Sequence, residues 1–186
     1  MAIKHNVREV LKNAACIFTK AEIETALDRM ATALKARVGE SNPVFVCVLV
    51  GGIIPMGNLL TRLDFPLEID YVHVSRYGDQ TQGGELNWKA TPALDLTNRT
   101  VVVVDDILDE GLTLAPVVAY CKSHGAREVI TAVLVDKKKP RSAKGLQEAD
   151  VSGLQVDDQF VFGYGLDYHS YLRNAPGIYV AAPQHR

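Results

Sequence analysis

The chain has 186 residues, 47% of them hydrophobic and 23% charged, with a net charge of −2; this fits a single globular domain able to bury roughly 70% of the surface its unfolded form exposes. No segment approaches the ~18 apolar residues of a membrane-spanning helix, and one short basic run, Lys137 to Arg141, on a near-neutral chain leaves no footprint for nucleic acid. The first twenty residues interleave Lys4, Arg8, Glu9 and Lys12 with apolar positions, so they lack the apolar stretch of a secretion signal and a cytoplasmic location is expected.

In chain order, Thr19 and Glu22 form a capping-box pattern ahead of Ile23, Leu27, Met30, Leu34 and Val38, whose spacing places them on one helical face, and Gly39 marks the end of that helix. Val44 to Val50 is a continuous, largely β-branched run bounded by Pro43 and Gly51-Gly52, the pattern of a strand covered on both faces. Ile54 to Leu63 reads as a helix, Ile69 to Val74 as a strand, Thr100 to Val104 as a strand, Leu112 to His124 as a helix ended by Gly125, and Val129 to Val135 as a strand. Strand and helix alternate, so the class is α/β with a mainly parallel sheet flanked by helices. Ser75 to Pro92 and Lys137 to Gly153 break the alternation and read as surface loops. The first is longer than the ~12 to 15 residues usual for a structureless connection, which points to a functional lid.

Cys16, Cys47 and Cys121 are widely spaced among apolar neighbours and are expected to be reduced, buried and inert. The five histidines show no metal-ligand spacing, so no zinc site is expected.

The segment that carries chemistry is Val101 to Thr113. An apolar strand runs into Asp105, Asp106, Asp109 and Glu110, then Gly111, Leu112 and Thr113 at a helix start. Ligands of open α/β sheets bind beyond the carboxyl ends of the strands, and the amides that open the next helix receive phosphate. Gly111 lets the backbone approach a ligand, and the Thr113 hydroxyl adds a donor. The Asp105-Asp106 pair suits sugar hydroxyls, met directly or through hydrated magnesium. A solvated strand end accounts for one acid at a helix start, but not comfortably for four acids in six positions.

This segment resembles the ribose-phosphate signature of type I phosphoribosyltransferases, and from about Val44 to Arg173 the chain is most similar to the hypoxanthine-guanine members. The resemblance implies one domain over residues 1–186, with a core over about 40–140, a small hood from the N-terminal segment and about 150–186, and a flexible lid loop. It implies that Asp105, Asp106, Asp109, Glu110, Gly111, Leu112 and Thr113 bind ribose phosphate, with Glu110 standing where the family has a hydroxyl residue. Val50 and Gly51 would meet pyrophosphate, Val50 replacing a lysine of some members, and Arg173 would reach it too. Lys137 would donate to the six-position oxygen of a purine, Phe160 would stack on its ring and Val161 would meet its edge through the backbone, whereas Lys138 and Lys139 are expected in solvent. Ser75, Arg76 and Tyr77 fall on the lid.

The same resemblance implies Mg2+ as cofactor, with Asp105, Asp106 and Asp167 at the metal. The implied substrates are phosphoribosyl pyrophosphate and a 6-oxopurine, hypoxanthine or guanine, in purine salvage, with Asp109 accepting the purine proton as general base. A homodimer or homotetramer is expected, with neither nucleic acid nor membrane as partner. Two other readings stay open: a xanthine-preferring enzyme, and a ligand-sensing regulator with the same fold.

Overall fold

The computed structural model describes residues 7–76 and 86–185. In chain order it runs α1 (Val7–Asn13), β1 (Ala15–Phe18), α2 (Lys20–Val38), β2 (Val44–Leu49), α3 (Ile53–Leu60), β3 (Glu68–Arg76), β4 (Leu86–Ala90), β5 (Thr100–Leu108), α4 (Leu114–Ser123), β6 (Glu128–Lys138), β7 (Val151–Asp157), β8 (Val161–Phe162) and β9 (Ile178–Val180). Six strands form one sheet in the order β4-β3-β2-β5-β6-β7, and β1-β9-β8 form a second, smaller sheet. In the large sheet only the β3–β4 pairing is antiparallel. The expected α/β class with a mainly parallel sheet is what the chain adopts. Among the described residues no helix is long and apolar enough to cross a membrane.

Helix α2 starts where its cap predicts. The Thr19 hydroxyl accepts from the Glu22 amide while the Glu22 carboxylate accepts from the Thr19 amide at 2.8 Å. The face formed by Ile23, Leu27, Met30, Leu34 and Val38 is fully buried and packs on β6, β7 and α3. Gly39 ends the helix for a different reason from a left-handed turn. Its backbone stays right-handed, and a Cβ there would stand 2.6 Å from the Lys35 carbonyl oxygen. The opposite face of the sheet is covered by α4, with Leu114, Val117 and Cys121 buried against Val101, Val103 and Val133.

The outlines of several elements differ from expectation. Strand β5 continues past Val104 to Leu108 because β6 goes on pairing with it, Ile107 opposite Val135 and Leu108 opposite Asp136. The acids Asp105 and Asp106 are therefore strand residues, and Lys137 lies in β6. Helices α3 and α4 end or begin inside their expected limits, at Leu60 and Leu114. The stretch from Ser75 to Pro92 contains strand residues on both sides of the undescribed residues 77–85, with Ser75 paired to Asn87 and Arg76 to Leu86. Part of the second expected loop is likewise strand. Val151 to Asp157 form β7, which pairs with β6 and extends the large sheet into residues assigned by resemblance to the hood.

Of the cysteines, Cys47 and Cys121 are buried as expected, and burial pushes their thiols up to about 12 and about 11, with Asp105 and Asp106 adding to the shift at Cys47. Cys16 is exposed, contrary to expectation. It lies on β1, a strand of the small sheet with one flanking partner, which covers little of it.

Truncating a core residue of α2 tests how far the large sheet depends on this helix. Leu34→Ala is expected to cost about 2–5 kcal/mol, and Thr19→Ala, which removes only the cap, about 1 kcal/mol, both read from denaturant midpoints. Equal losses for the two variants would show that α2 frays as a unit rather than anchoring the sheet.

Candidate functional site

The connections set where the site forms. From β2 the chain crosses through α3 to β3 on one side, whereas β5 leads through α4 to β6 on the other. Neighbouring strands whose connections leave in opposite directions diverge at their carboxyl ends and open a crevice there. The β2–β5 pairing ends at Cys47 opposite Val104, and the crevice begins at the next residue, Asp105. It is a cavity of about 380 Å3, and its lining includes Val50 and Gly51 after β2, Asp105, Asp106 and Asp109 on and after β5, and Gly111 and Thr113 ahead of α4. Ser75, Asp167 and Arg173 complete one side of it.

Asp105 and Asp106 are almost completely buried. Burial raises the Asp105 carboxyl well above the ordinary carboxylate range, with the adjacent Asp106 charge adding to it. Burial also raises Asp106, partly offset by a hydrogen bond within the pair and by the Arg173 guanidinium. Asp105 Oδ1 accepts from the Asp106 amide at 2.8 Å, which fixes the first carboxylate against the strand. The second is fixed by close approach. A Cβ at Gly51 would lie 2.0 Å from Asp106 Oδ2, and a Cβ at Gly165 would lie 2.5 Å from the Gly51 carbonyl oxygen. Only glycine at these positions lets the turn after β2, the acid pair and the 163–165 turn come together.

Arg173 bridges the far wall. Its guanidinium donates to the Gly165 carbonyl at 2.6 Å and lies 2.8 Å from Asp167 and 3.6 Å from Asp106. The segment that presents it is tightly turned. Gly163 and Gly165 have positive φ, as do Tyr164, His169, Ser170 and Leu172, and paired backbone bonds join Gly163 to Leu166 and Tyr168 to Tyr171. Left-handed backbone at a side chain such as Leu172 is costly, and the Gly165 amide bond to the Arg173 carbonyl at 2.9 Å helps hold it.

The loop ahead of α4 is interlocked with residues 139–146. Gly111 has φ +75°, and a Cβ on it would stand 2.3 Å from the Leu146 carbonyl oxygen. The Leu146 amide donates to the Gly111 carbonyl at 3.0 Å, and the Ser142 amide to the Glu110 carbonyl at 3.3 Å. Arg141 donates to the Asp109 carbonyl and pairs with Asp136. Thr113 opens the helix without capping it through its side chain, and its position on the cavity lining leaves the hydroxyl there for a ligand.

Asp109 joins this cavity to the lysines at the end of β6. Lys137 Nζ lies 3.2 Å from its Oδ2 and Lys139 Nζ 2.7 Å from its Oδ1. Both lysines also approach Asp158, at 3.6 and 3.5 Å. Burial alone would raise the Asp109 carboxyl, but the ammonium groups of Lys139 and Lys137 hold it below the ordinary range, so it is ionised at neutral pH.

Of the expected site residues, the cavity brings together Val50, Gly51, Ser75, Asp105, Asp106, Asp109, Gly111, Thr113, Asp167 and Arg173. Lys137 joins them only through Asp109. Glu110, Leu112, Phe160 and Val161 do not line it. Phe160 is 42% exposed, its ring edge-on to Tyr168 at 5.8 Å, while Val161 is buried in β8 opposite Val180. The side chain of Arg76, and Tyr77 as a whole, lie outside the described residues.

Asp105, Asp106 and Asp167 all line the cavity, although among the described residues no three His, Cys, Asp or Glu side chains converge on one point suited to a metal ion. Asp167 lies against Arg173 and the Ser170 amide, at 2.8 Å in both cases. One expectation is corrected here: Lys139 is not a solvated charge like its exposed neighbour Lys138. Its side chain is 18% exposed and paired with Asp109. The two-residue period of an extended chain, which puts Lys137 and Lys139 on one side, was the signal available for it. Asp158, and the bond of Arg141 to the Asp109 carbonyl, carried no comparable signal, because Lys137, Lys139 and Asp109 are distant from them in sequence.

A parallel sheet whose switch point carries buried carboxylates, beside a glycine turn that opens a helix, belongs to the class of α/β proteins that handle phosphorylated sugars. Comparison with known proteins makes this specific. The chain belongs to the phosphoribosyltransferase family: the family profile described as the phosphoribosyl transferase domain matches residues 16–169. It is similar to the hypoxanthine-guanine phosphoribosyltransferase of Bacillus subtilis (strain 168), 32% identical over 182 residues and covering 97% of each chain. It is also similar to the hypoxanthine-guanine-xanthine phosphoribosyltransferase of Tritrichomonas foetus, 30% identical over 87% of this chain and 88% of the relative. The crystal structure of a hypoxanthine phosphoribosyltransferase from Staphylococcus aureus superposes with a TM-score of 0.87, covering 98% of both chains at 28% identity.

The contact between Gly51 and Asp106 can be tested directly. Gly51→Ala would displace the Asp106 carboxylate, so affinity for phosphoribosyl pyrophosphate, measured by calorimetry, is expected to fall about tenfold or more, equivalent to ~1.4 kcal/mol. Unchanged affinity would mean that the acid pair is not part of the ribose-phosphate site.

Proposed function

We propose that the chain is a purine-salvage enzyme that transfers the 5-phosphoribosyl group from phosphoribosyl pyrophosphate to hypoxanthine or guanine, giving IMP or GMP and pyrophosphate. The observation that carries this reading is one continuous run of chemistry: the buried acid pair, the Gly111–Thr113 turn, and Asp109 shared with Lys137. The names of the full-length relatives agree with it. Asp109 Oδ1, buried and met only by the ion pair with Lys139, has no hydrogen bond among the described residues, which suits a donor on a purine edge.

The proposed division of labour follows from charge. Gly111 and Thr113 offer the 5-phosphate a helix start. The Asp105-Asp106 pair accepts hydrogen bonds from the ribose hydroxyls. Arg173, with five donors and only carboxylate and carbonyl partners at hand, can turn part of its fork to pyrophosphate. Lys137 donates to the six-position oxygen; an amino group at that position would be a donor facing a donor, so adenine is disfavoured. Phe160 offers an exposed ring for stacking. Asp109, ionised, takes the proton from the purine ring nitrogen as that nitrogen attacks the anomeric carbon and the bond to pyrophosphate breaks. The sugar passes through an oxocarbenium-like state, which the nearby carboxylates favour electrostatically.

Magnesium fits as an ion that arrives with the substrate. The protein offers a pair of adjacent buried carboxylates rather than a cage, and Mg2+ characteristically takes one or two carboxylates together with substrate phosphates and water. Asp105 and Asp106 would hold its hydrated shell, with Asp167 near by. Once bound, the ion neutralises charge on the leaving pyrophosphate.

A second reading is kept for substrate range, because the Tritrichomonas foetus relative is named for xanthine as well. We also place the enzyme in the cytoplasm and expect a homodimer or homotetramer. Ile69 and Tyr71, on one face of β3, are 58% and 47% exposed, an apolar area suited to another copy. Sedimentation is expected to give a mass that is two or four times 20.3 kDa; a single copy at working concentration would exclude it.

Pyrophosphate release measured with phosphoribosyl pyrophosphate, magnesium and each of four bases tests the main reading. Turnover is expected with hypoxanthine or guanine, none with adenine, and loss on chelation; no turnover with any base would remove the reading. Asp109→Asn is expected to lose about 10²- to 10⁴-fold in kcat with little change in the affinity for phosphoribosyl pyrophosphate.

A further inference from the structure

We propose that Lys139 is a positioning residue that keeps Asp109 aimed at the purine while Lys137 is engaged by the base oxygen. The inference rests on the assignment of Asp109 as general base and deepens it. Asp109 is held from two sides, by Lys137 on Oδ2 at 3.2 Å and by Lys139 on Oδ1 at 2.7 Å. The Lys137 ammonium, already shared between Asp109 and Asp158, must give one of its three donors to the six-position oxygen. Its hold on Asp109 then weakens, and Lys139 is the ammonium whose contact with Asp109 the base does not draw on.

The surroundings single out Lys139 for this task. Its side chain is 18% exposed, and its carboxylate contact is the shorter of the two on Asp109. The two lysines differ in place. Lys137 is a residue of β6, while Lys139 follows the strand, where its amide bonds to the Lys137 carbonyl at 3.0 Å. Other charged groups facing the cluster are Asp158 across from both lysines, Glu110 beside Asp109, and Arg141, which holds the Asp109 carbonyl and pairs with Asp136. The Lys139 ammonium is favoured first by the Asp109 contact, with Asp158 and Glu110 adding to it.

The sign of the pH effect follows. Asp109 lies below the ordinary value of 3.8 because the lysines outweigh burial. Removing Lys139 leaves burial opposed by Lys137 alone. The carboxyl must then rise, and the acid limb of kcat/KM must move to higher pH.

The experiment compares the full-length wild-type enzyme with Lys139→Met, Lys139→Gln, Lys139→Arg, Asp109→Asn and, as an exposed control, Lys138→Met, each checked for folding by circular dichroism. Initial rates are taken with hypoxanthine across pH. Lys139→Met and Lys139→Gln are expected to lower kcat about tenfold, a part of the general-base contribution, with KM for hypoxanthine changed less than twofold and the acid limb shifted upward. Lys139→Arg should recover most of the rate, and Lys138→Met should match wild type. Wild-type kcat and an unmoved acid limb in both Lys139→Met and Lys139→Gln would overturn the inference alone, provided Asp109→Asn is impaired. A rise in KM at constant kcat would also overturn it, by making Lys139 a base-binding residue. An unimpaired Asp109→Asn would overturn this inference together with the general-base assignment beneath it.

Discussion

Everything at this site depends on burying two adjacent carboxylates at the point where β2 and β5 part. A buried carboxylate pair is unfavourable unless neighbouring groups take up its charge or its lone pairs. The structure meets that demand from three directions. The Asp106 amide takes one oxygen of Asp105, the Gly51 turn closes over Asp106 where no side chain could fit, and Arg173 brings a guanidinium to within 3.6 Å. Each of these elements is shaped by the requirement, including the twisted segment from Gly163 to Leu172 that delivers Arg173. Those partners do not fully offset burial, which raises the proton affinity of both groups.

The second cluster solves the opposite problem. Asp109 has more positive charge around it than it needs, and so remains ionised in spite of burial. Within a few residues along β5 the chain thus holds acids pushed in opposite directions, two raised and one lowered. Groups driven apart in this way cluster at functional sites. The interlock of Gly111 with Leu146 and of Arg141 with the Asp109 carbonyl ties the two clusters into one body, so a change in the loop after β6 is felt at the turn ahead of α4.

Much of this was written locally in the chain. The capping box of α2, its buried face, the apolar strands and the acidic segment after Val101 could all be read from residue type and spacing, because each depends on neighbours a few positions away. The extent of β5 could not. Its apolar run stops at Val104, and only the ladder to β6 carries the strand on through two aspartates to Leu108. Strand β4 was obscured in the same way, since Leu86 to Ala90 mixes apolar, polar and charged residues and becomes a strand by pairing with β3. Lys139 was misjudged because a lysine in a basic run is ordinarily solvated, and its partner lies 30 positions upstream.

The sequence by itself determined the α/β class, the position of the acid motif and the identity of the groups that can do chemistry there, since hydrophobic periodicity and side-chain chemistry are local properties. Tertiary structure decided which of those groups meet. It set Asp167 against Arg173, left Phe160 off the cavity lining, and put Lys139 beside Lys137 on the same carboxylate. Such contacts join elements far apart in the chain, and their geometry follows from strand order, crossover direction and the few places where glycine lets two backbones touch.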